Sequence, residues 1–347
     1  MVRKYLLLFI FTGIVFALSV VSGRRLVYHL PLRIHAERHN LLIGVSVGGA
    51  NLSDAQYAQT LAREFSILTP ENAMKFGVIS LSRGEYDFSE ADAIVEFAES
   101  HDMMVRGHTL VWTNQLPTWL VDRQWTRDEL ISILHDHIFT LVGRYRGRIY
   151  AWDVVNEAIA NDGSIAVDNF WYQGIGPEYI AMSYQWAHEA DPNALLFYND
   201  VFAEGLGEKS DGVYSLISSL LMDRIPIHGV GLEMHTGIGW SPSPIEIAMN
   251  MFRLGELGLQ VHITEMDVRM PAPSTLESLE QQATIYQEIL DTCLTAPNCT
   301  AFVMWGLTDA HSWIPYFYPE WGAALIIDEF YHPKPAYIAI EELLSTK

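Results

Sequence analysis

The chain has 347 residues, of which half are hydrophobic, and a formal net charge of −21. This length accommodates one large α/β domain, and the composition excludes a largely disordered chain. Nucleic-acid binders normally carry a basic patch, so the acidic balance argues against a nucleic-acid partner and leaves a neutral polymer such as a polysaccharide open.

The N-terminus has the pattern of an export signal or a membrane anchor. Arg3 and Lys4 precede an almost uninterrupted apolar run from Tyr5 to Val21. Its length lies between that of a signal-peptide core and that of a full membrane span. We therefore expect residues 1–23 to be a signal peptide or an anchor and residues 24–40 to be a lead-in. The protein would then be secreted, or held on the extracytoplasmic side of a membrane by this segment if it is not cleaved.

From Leu41 onward, short apolar runs alternate with helical patterns, which is the rhythm of repeated βα units. The predicted strands are Leu41 to Val47, Ile67 to Pro70, Met104 to Trp112, Ile149 to Asn156, Ala194 to Asn199, Gly229 to His235, Gln260 to Glu265 and Ala301 to Leu307. The predicted helices are Asp54 to Phe65, Phe88 to His101, Thr126 to Arg146, Pro177 to Ala190, Ser210 to Met222, Ser243 to Leu257, Leu276 to Leu294 and Lys334 to Leu343. Eight such pairs predict an α/β fold, a (β/α)8 TIM barrel over residues 41–347, with its site at the carboxyl ends of the strands.

Two of the predicted strands each deliver a glutamate where the apolar run stops. Glu157 follows the fourth strand, and Glu265 ends the seventh. Cleavage of a glycosidic bond requires at least two carboxylic acids on one rim. One donates a proton to the leaving oxygen, and the other stabilises or attacks the cationic sugar carbon. The sequence therefore predicts a glycosidase.

Large polar and aromatic residues also gather at the ends of the other predicted strands. They stand in the segments Thr69 to Lys75, His108 to Gln115, Tyr198 to Asp200, Glu233 to His235 and Trp305 to Asp309. Any one of them has an ordinary structural explanation: Lys75 could be a solvated helix residue, and Asp309 could cap a helix. A purely structural role does not account for their concentration on one rim.

The chain holds two cysteines, Cys293 and Cys299. They are close enough in sequence to close a small disulfide loop in an oxidising compartment, although two unpaired cysteines with one buried are the alternative. No CxxC pair or HExxH motif occurs, so we expect no metal and no cofactor.

Seven motifs in order carry a resemblance to a known family. The segments TPENAMK, HTLVW, WDVVNEA, YND, a glycine-rich strand ending in MH, ITEMDVR and WGLTD resemble glycoside hydrolase family 10, the (β/α)8 endo-β-1,4-xylanases. The resemblance spans the chain from about Leu41 to the C-terminus. It implies a retaining endo-β-1,4-xylanase that acts on xylan and xylo-oligosaccharides, and we expect a monomer.

The resemblance also implies roles for individual residues. Glu157 resembles the acid/base and Glu265 the nucleophile, and Asn156 resembles the residue that binds the 2-hydroxyl of the sugar at the cleaved position. The other implied substrate-binding residues are Glu71, Asn72, Lys75, His108, Trp112, Gln115, Trp305 and Trp313. Cys293 and Cys299 match a short disulfide loop found in many members.

Catalysis requires the two glutamates to differ in protonation. Glu157 must hold a proton near neutral pH, whereas Glu265 must stay ionised among donors. His235 is the nearest candidate donor, and Asp267 would orient its ring.

The sequence departs from the family pattern at two positions. Glu233 stands where a glutamine usually donates to the nucleophile, so we predict that Glu233 either holds a proton or turns away from Glu265. Thr113 stands where a histidine is common, which affects contacts with neighbouring sugars. These two departures keep open a β-glycosidase acting on a related glycan. An inactive carbohydrate-binding barrel is a separate alternative, which predicts a damaged catalytic pair, whereas Glu157, Asn156 and Glu265 are all present.

Overall fold

The structure, a computed structural model, describes residues 30–347. The predicted signal peptide or anchor at residues 1–23 and the first part of the predicted lead-in lie outside the described residues. The second part of the lead-in contains a short helix, Leu32–Glu37, whose N-terminal amide donates to the buried Glu64 carboxylate at 3.0 Å. Within residues 30–347, no helix is both long enough and apolar enough to cross a membrane.

The described chain forms the predicted closed barrel of eight parallel strands. In chain order, the barrel strands are Leu42–Val47, Ile67–Pro70, Met104–Gly107, Ala151–Asn156, Leu195–Asp200, Gly229–Leu232, Gln260–Pro271 and Cys299–Met304. Each strand pairs in parallel with its neighbours along the chain, and the first also pairs with the eighth, which closes the ring. The fold prediction is thereby confirmed.

Helices surround the barrel, and most follow the predicted segments. Those of six or more residues after the first strand are Ala55–Glu64, Ser89–Ser100, Arg127–Arg144, Phe170–Ile175, Tyr179–Ala190, Glu208–Met222, Pro244–Glu256, Leu276–Thr295 and Pro335–Thr346. Four-residue helices span Phe76–Ile79, Thr118–Val121 and Ile314–Phe317, with single turns at Gly49–Ser53 and Asp309–His311. Short strands at Ser80–Ser82, Glu85–Tyr86, His235–Gly237 and Trp321–Gly322 complete the described elements.

Local chemistry explains where several helices begin. The Asp54 carboxylate accepts from the Gln56 amide at 2.8 Å. The Thr126 hydroxyl accepts from the Glu129 amide, and the Glu129 carboxylate accepts from the Thr126 amide. These contacts satisfy amide groups that the first turn leaves without partners. Pro244 and Pro335 occupy the first position of their helices, where a missing N–H has no cost.

The barrel interior holds a buried ionic cluster below the site. Arg106 donates to both carboxylate oxygens of Asp153, and another of its nitrogens lies 2.7 Å from His262 Nδ1. The Arg106 and Asp153 side chains are 0% and 1% exposed. Because Asp153 also accepts from His108 at 3.0 Å, the cluster connects the barrel interior to the rim.

Four strand predictions differ from the structure by more than one residue at their carboxyl ends. The seventh strand continues past Glu265 to Pro271, and the eighth ends at Met304, not Leu307. The third strand ends at Gly107, not Trp112, because the Leu110 and Val111 amides bond out of register to Asp153 and Val154 of the fourth strand. The sixth strand stops at Leu232 and resumes as His235–Gly237. Met234 has a φ of +63°, and its amide donates to Glu204.

Candidate active site

An open cleft of about 570 Å³ lies over the carboxyl ends of the barrel strands. It brings together all of the residues for which the sequence predicted a catalytic or substrate-binding role. These are Glu71, Asn72, Lys75, His108, Trp112, Gln115, Asn156, Glu157, Glu233, His235, Glu265, Trp305 and Trp313. Asp267 lies directly behind them, against His235.

Glu157 stands one residue beyond the fourth strand, in a left-handed conformation with a φ of +53°. Its amide donates to the Asn199 carbonyl at 3.0 Å, and one carboxyl oxygen accepts from Asn156 Nδ2 at 3.3 Å. These bonds hold the amide and the acid side by side on the rim. The unusual backbone conformation is therefore supported by the neighbouring strand.

Burial raises the pKa of the Glu157 carboxyl, and the negative charges of Asp200 and Glu265 raise it further. The Trp112 indole beside the carboxyl and the Lys209 cation oppose this rise in pKa. The net effect favours the protonated acid, which is the form that can donate to a leaving oxygen.

Glu265 is equally enclosed, but donors surround it. One carboxylate oxygen accepts from Asn199 Nδ2 at 2.8 Å, and the other lies 3.3 Å from His235 Nε2. Burial alone would raise the pKa of Glu265, but His108, His235 and Lys75 outweigh it and lower the pKa to about 2. The carboxylate is therefore ionised near neutral pH and available as a nucleophile.

His235 is held in place from the side opposite Glu265. Its Nδ1 lies 2.9 Å from an oxygen of Asp267, which also accepts from the Trp313 indole at 2.8 Å. Burial would lower the pKa of His235, but the Asp267 and Glu265 carboxylates raise it to about 10. The imidazolium form can donate to both carboxylates, which is the arrangement that the sequence predicted.

Glu233 stays beside the nucleophile. Asn199 Nδ2 lies within hydrogen-bond distance of three acceptors, at 3.1 Å from Glu233, 2.8 Å from Glu265 and 2.8 Å from Asn156. Burial raises the pKa of Glu233 well above its ordinary value, and the charges of Glu265 and Glu157 act in the same direction. Of the two predicted arrangements, the structure therefore favours a neutral, protonated Glu233, and the side chain does not turn away.

The sequence predicted Asn199 at the end of a strand, but it did not indicate that this side chain would contact Asn156, Glu233 and Glu265 together. Its Oδ1 accepts from the Thr264 hydroxyl at 2.7 Å, which orients the amide so that Nδ2 faces the carboxylates. A Cβ atom on Gly231 would lie only 2.0 Å from Asn199 Oδ1. The glycine on the sixth strand therefore makes room for this amide.

A second buried ionic group lies behind Glu157 and was also missed. Lys209 Nζ is 2.8 Å from Asp200, whose other oxygen accepts from the Tyr198 hydroxyl. The Ala158 amide in turn donates to that hydroxyl at 3.0 Å. Asp200 is a buried negative charge near Glu157, and it raises the pKa of that carboxyl.

The segment after the second strand forms a polar clamp on one side of the cleft. Lys75 Nζ donates to Asn72 at 3.0 Å and lies 5.1 Å from the centre of the Trp112 ring. Burial lowers the pKa of Lys75 and raises the pKa of Glu71. Lys75 is buried in the cleft wall. The alternative explanation, in which Lys75 is a solvated helix residue, is therefore wrong.

The opposite side of the cleft contains residues that no sequence pattern indicated. They include Val201, Phe202, Trp240, Phe317 and Tyr318, and Arg269, which ends the ITEMDVR motif but was given no role, lies among them. Their contribution depends on loops and helix ends that meet only in the folded chain, so strand alternation could not reveal it.

The two cysteines form the disulfide Cys293–Cys299, remote from the cleft at the end of the helix Leu276–Thr295. Within the described chain, Glu233, His235 and Glu265 offer ligand-type atoms that all lie within 4.8 Å of one another. His235 Nε2 is already engaged with Glu265, and the pKa of the ring favours a proton on it. The expectation of no metal and no cofactor stays a prediction.

The chain is similar to known proteins over most of its length. The family model described as "Glycosyl hydrolase family 10" matches residues 31–343. The chain is 45% identical over 325 residues to an endo-1,4-beta-xylanase B of Thermotoga neapolitana, covering 92% of each chain.

Solved structures are similar over the same length. Native xylanase 10B of Thermotoga maritima is 46% identical, with a TM-score of 0.88 over 91% of this chain and 98% of that one. Xylanase 10B of Thermotoga petrophila RKU-1, solved in complex with xylobiose, is 43% identical, with a TM-score of 0.88 over 93% of this chain and 99% of that one.

Proposed function

The chain belongs to glycoside hydrolase family 10, and from this premise we propose that it is an endo-acting, retaining β-1,4-xylanase. The substrates are xylan and xylo-oligosaccharides, consistent with the names of its relatives and with the xylobiose bound to one of them. The open cleft is lined by polar side chains and by aromatic rings such as Trp112, Trp240 and Trp305, which supports binding within a long polymer.

The mechanism is a double displacement. Glu157 donates its proton to the glycosidic oxygen while Glu265 attacks the anomeric carbon, so the carbon–oxygen bond to the leaving sugar breaks as the bond to Glu265 forms. Glu157, now ionised, takes a proton from water, and the resulting hydroxide displaces Glu265 from the sugar. The two inversions together retain the configuration at the anomeric carbon.

One observation carries this proposal. Glu157 and Glu265 are both buried in the same cleft, yet their surroundings move their pKa values in opposite directions, upward for Glu157 and down to about 2 for Glu265. A pair of carboxyl groups in opposite protonation states is what an acid and a nucleophile require.

Release of reducing ends from xylan by the parent, Glu157→Ala and Glu265→Ala tests the proposal. We expect hydrolysis by the parent and a loss of several orders of magnitude in each variant. Glu280→Ala is the matched control, since Glu280 is exposed on an outer helix. A rapid fall in viscosity relative to reducing ends would support internal cleavage.

Azide separates the two roles. An activated aryl glycoside needs no proton for its leaving group, so Glu157→Ala with azide should yield a β-glycosyl azide. Glu265→Ala should yield the product of opposite configuration. Retention of xylo-oligosaccharides without hydrolysis, from acid to neutral pH, would instead favour a binding protein, and faster cleavage of cellulose than of xylan would favour a different glycosidase.

We also propose that the protein acts outside the cytoplasm, as a secreted or membrane-anchored enzyme. The basic and then apolar N-terminal segment and the disulfide Cys293–Cys299 support this location, because disulfides persist mainly in oxidising compartments. Cell fractionation followed by N-terminal sequencing tests it. Activity confined to the cytoplasm would contradict it, and an intact N-terminus in a membrane fraction would favour the anchor.

A further inference from the structure

Arg269 stands on the seventh strand, at the wall of the cleft opposite the clamp of Glu71, Asn72 and Lys75. Side chains two residues apart on a strand point to the same face. Arg269 therefore follows Glu265 and Asp267 along the face that looks toward the cleft, and it is one of the residues that line the cleft. Its position gives it access to a bound glycan.

Three aromatic rings from different segments enclose the Arg269 guanidinium. The guanidinium carbon lies 4.2 Å from the centre of the Tyr318 ring, 4.9 Å from Trp240 and 5.5 Å from Trp321. The backbone keeps these rings close, because Arg269 pairs with Gly237 and the neighbouring Pro271 pairs with Trp321. The rings hold the planar cation in one orientation, which reduces the entropy lost when it binds.

The cation has no acidic partner of its own among residues 30–347. Its Nε is buried without a hydrogen-bond partner, and no guanidinium nitrogen of Arg269 lies in an ion pair or side-chain hydrogen bond with another described residue. Lys75, the lysine on the other wall, is by contrast bound to Asn72 and surrounded by Glu71 and Glu265. The guanidinium of Arg269 thus presents unused N–H donors at the cleft.

The unused N–H donors of Arg269 suit a carboxylate better than a neutral hydroxyl group. A guanidinium binds a carboxylate through two parallel N–H bonds, which are stronger than bonds to neutral hydroxyl groups. The protein carries a net charge of −21, so its overall field would repel an acidic polymer. Recognition of an acidic glycan therefore needs a local cation that is not already neutralised.

We propose that Arg269 binds the carboxylate of a uronic acid branch on the glycan. The inference rests on the proposed xylanase function and adds the class of decorated substrate that the cleft recognises. The aromatic rings around Arg269 position the cation, and the apolar faces of the branch sugar can pack on the exposed parts of Trp240 and Tyr318, which are 37% and 40% exposed.

The test compares two polymers that differ only in charge: a glucuronoxylan, and the same glucuronoxylan after chemical reduction of its uronate carboxyl groups to primary alcohols. We expect the parent to have about a tenfold higher kcat/KM for the acidic polymer, as one charge-assisted contact implies. Arg269→Gln should bring the ratio close to one, chiefly through KM, and Arg269→Lys should retain part of the preference.

Arg123→Gln is the matched control. Arg123 also lies over an aromatic ring, 4.3 Å from the centre of Trp125, but neither residue lines the cleft. This variant should keep the parent ratio. Thermal unfolding and activity on unbranched xylan show whether Arg269→Gln remains folded, and Arg269→Lys keeps the test usable if it does not.

The outcomes are distinct. Equal losses on the acidic and the reduced polymer would overturn the inference, since Arg269 would then bind neutral sugar or only hold the rim together. A parent ratio close to one would overturn it as well. If the parent fails to cleave unbranched xylan too, the proposed function itself is wrong, which is a different failure.

Discussion

Glu157 and Glu265 are both buried in the same cleft, but the protein around them is different. Around Glu265, polar side chains from at or just beyond the ends of the third, fifth and sixth barrel strands converge: His108, Asn199 and His235, with Asp267 behind His235. Around Glu157, few donors reach the carboxyl, and the nearest charges are negative. Burial alone therefore does not decide the protonation of a carboxyl; the number and sign of its neighbours do.

The most direct way to break this comparison is to remove each acid in turn. We expect Glu265→Ala to lower kcat on xylan by more than about 10⁴-fold, because no other group can form the covalent intermediate. Glu157→Ala should lose about 10²- to 10⁴-fold on xylan. With an aryl glycoside that has an activated leaving group, formation of the intermediate should recover in Glu157→Ala but not in Glu265→Ala. Equal recovery in both variants would contradict the assignment.

The donors around Glu265 can be weakened without touching the nucleophile. Asp267→Asn removes the charge that holds the pKa of His235 near 10, so less positive charge faces Glu265 and the pKa of Glu265 rises from about 2. A protonated Glu265 cannot act as the nucleophile, so activity falls as this carboxylate takes up a proton. The acid limb of the kcat/KM profile should therefore move to higher pH, by about one unit.

Trp313→Phe serves as the control for that experiment. It removes a donor to the same Asp267 oxygen but leaves the charge in place. Because Trp313 lines the cleft, its KM for xylan should rise, while its acid limb stays at the parent pH. An acid limb of Asp267→Asn that superimposes on that of the parent would contradict the prediction.

The environment of Glu157 can be altered in the opposite sense. Asp200→Asn removes a negative charge that raises the pKa of Glu157 and leaves the Lys209 cation, which lowers it. An acid is lost when pH rises through its pKa, so the alkaline limb should move to lower pH, by less than about one unit at this burial. Asp162→Asn, on an exposed turn, should leave the limb unchanged. A shift to higher pH would contradict the prediction.

Glu233 should affect stability as well as catalysis. Its pKa is raised in the folded protein, so it contributes most below its unfolded value of 4.5 and loses that contribution as pH rises toward the folded value. Glu233→Gln should therefore unfold at a higher temperature than the parent at pH 7, by about 2 °C per kcal/mol. The difference should vanish near pH 4, and scanning calorimetry at both values measures it.

The same variant tests the coupling of Glu233 to activity. We expect the pH profile of kcat/KM for Glu233→Gln to differ from that of the parent. Loss of the proton from Glu233 adds a negative charge beside Glu265, and glutamine cannot ionise in this way. A profile that superimposes on that of the parent would rule out this coupling, even if the melting temperature changes.

Much of the barrel could be predicted from sequence, because each strand carries its own signal. The second strand, Ile67–Pro70, has the predicted bounds, and the strand that precedes Glu157 and the strand that carries Glu265 were located by their apolar runs. The sixth strand was not foreseen to divide, because the amide of Met234 bonds to Glu204, a residue 30 positions away.

The residues of the active site also fall into those that the sequence could locate and those that it could not. Glu157 stands directly after the fourth strand and Glu265 at the end of an apolar run, so both residues could be found by pattern, although the seventh strand continues past Glu265 to Pro271. The ion pair Asp200–Lys209, the three-way contact of Asn199 and the rings around Arg269 join residues from separate segments. Such groups arise from distance in space and leave no periodic signal along the chain.

Gly231 sets a limit on how this cleft can be engineered. A single methyl group there would meet Asn199 Oδ1 and turn the amide away from Glu265 and Glu233 together. Mutant libraries meant to broaden substrate range should therefore keep position 231 constant and place their diversity at Val201 and Phe202, whose side chains line the cleft but make no hydrogen bond to Glu157 or Glu265.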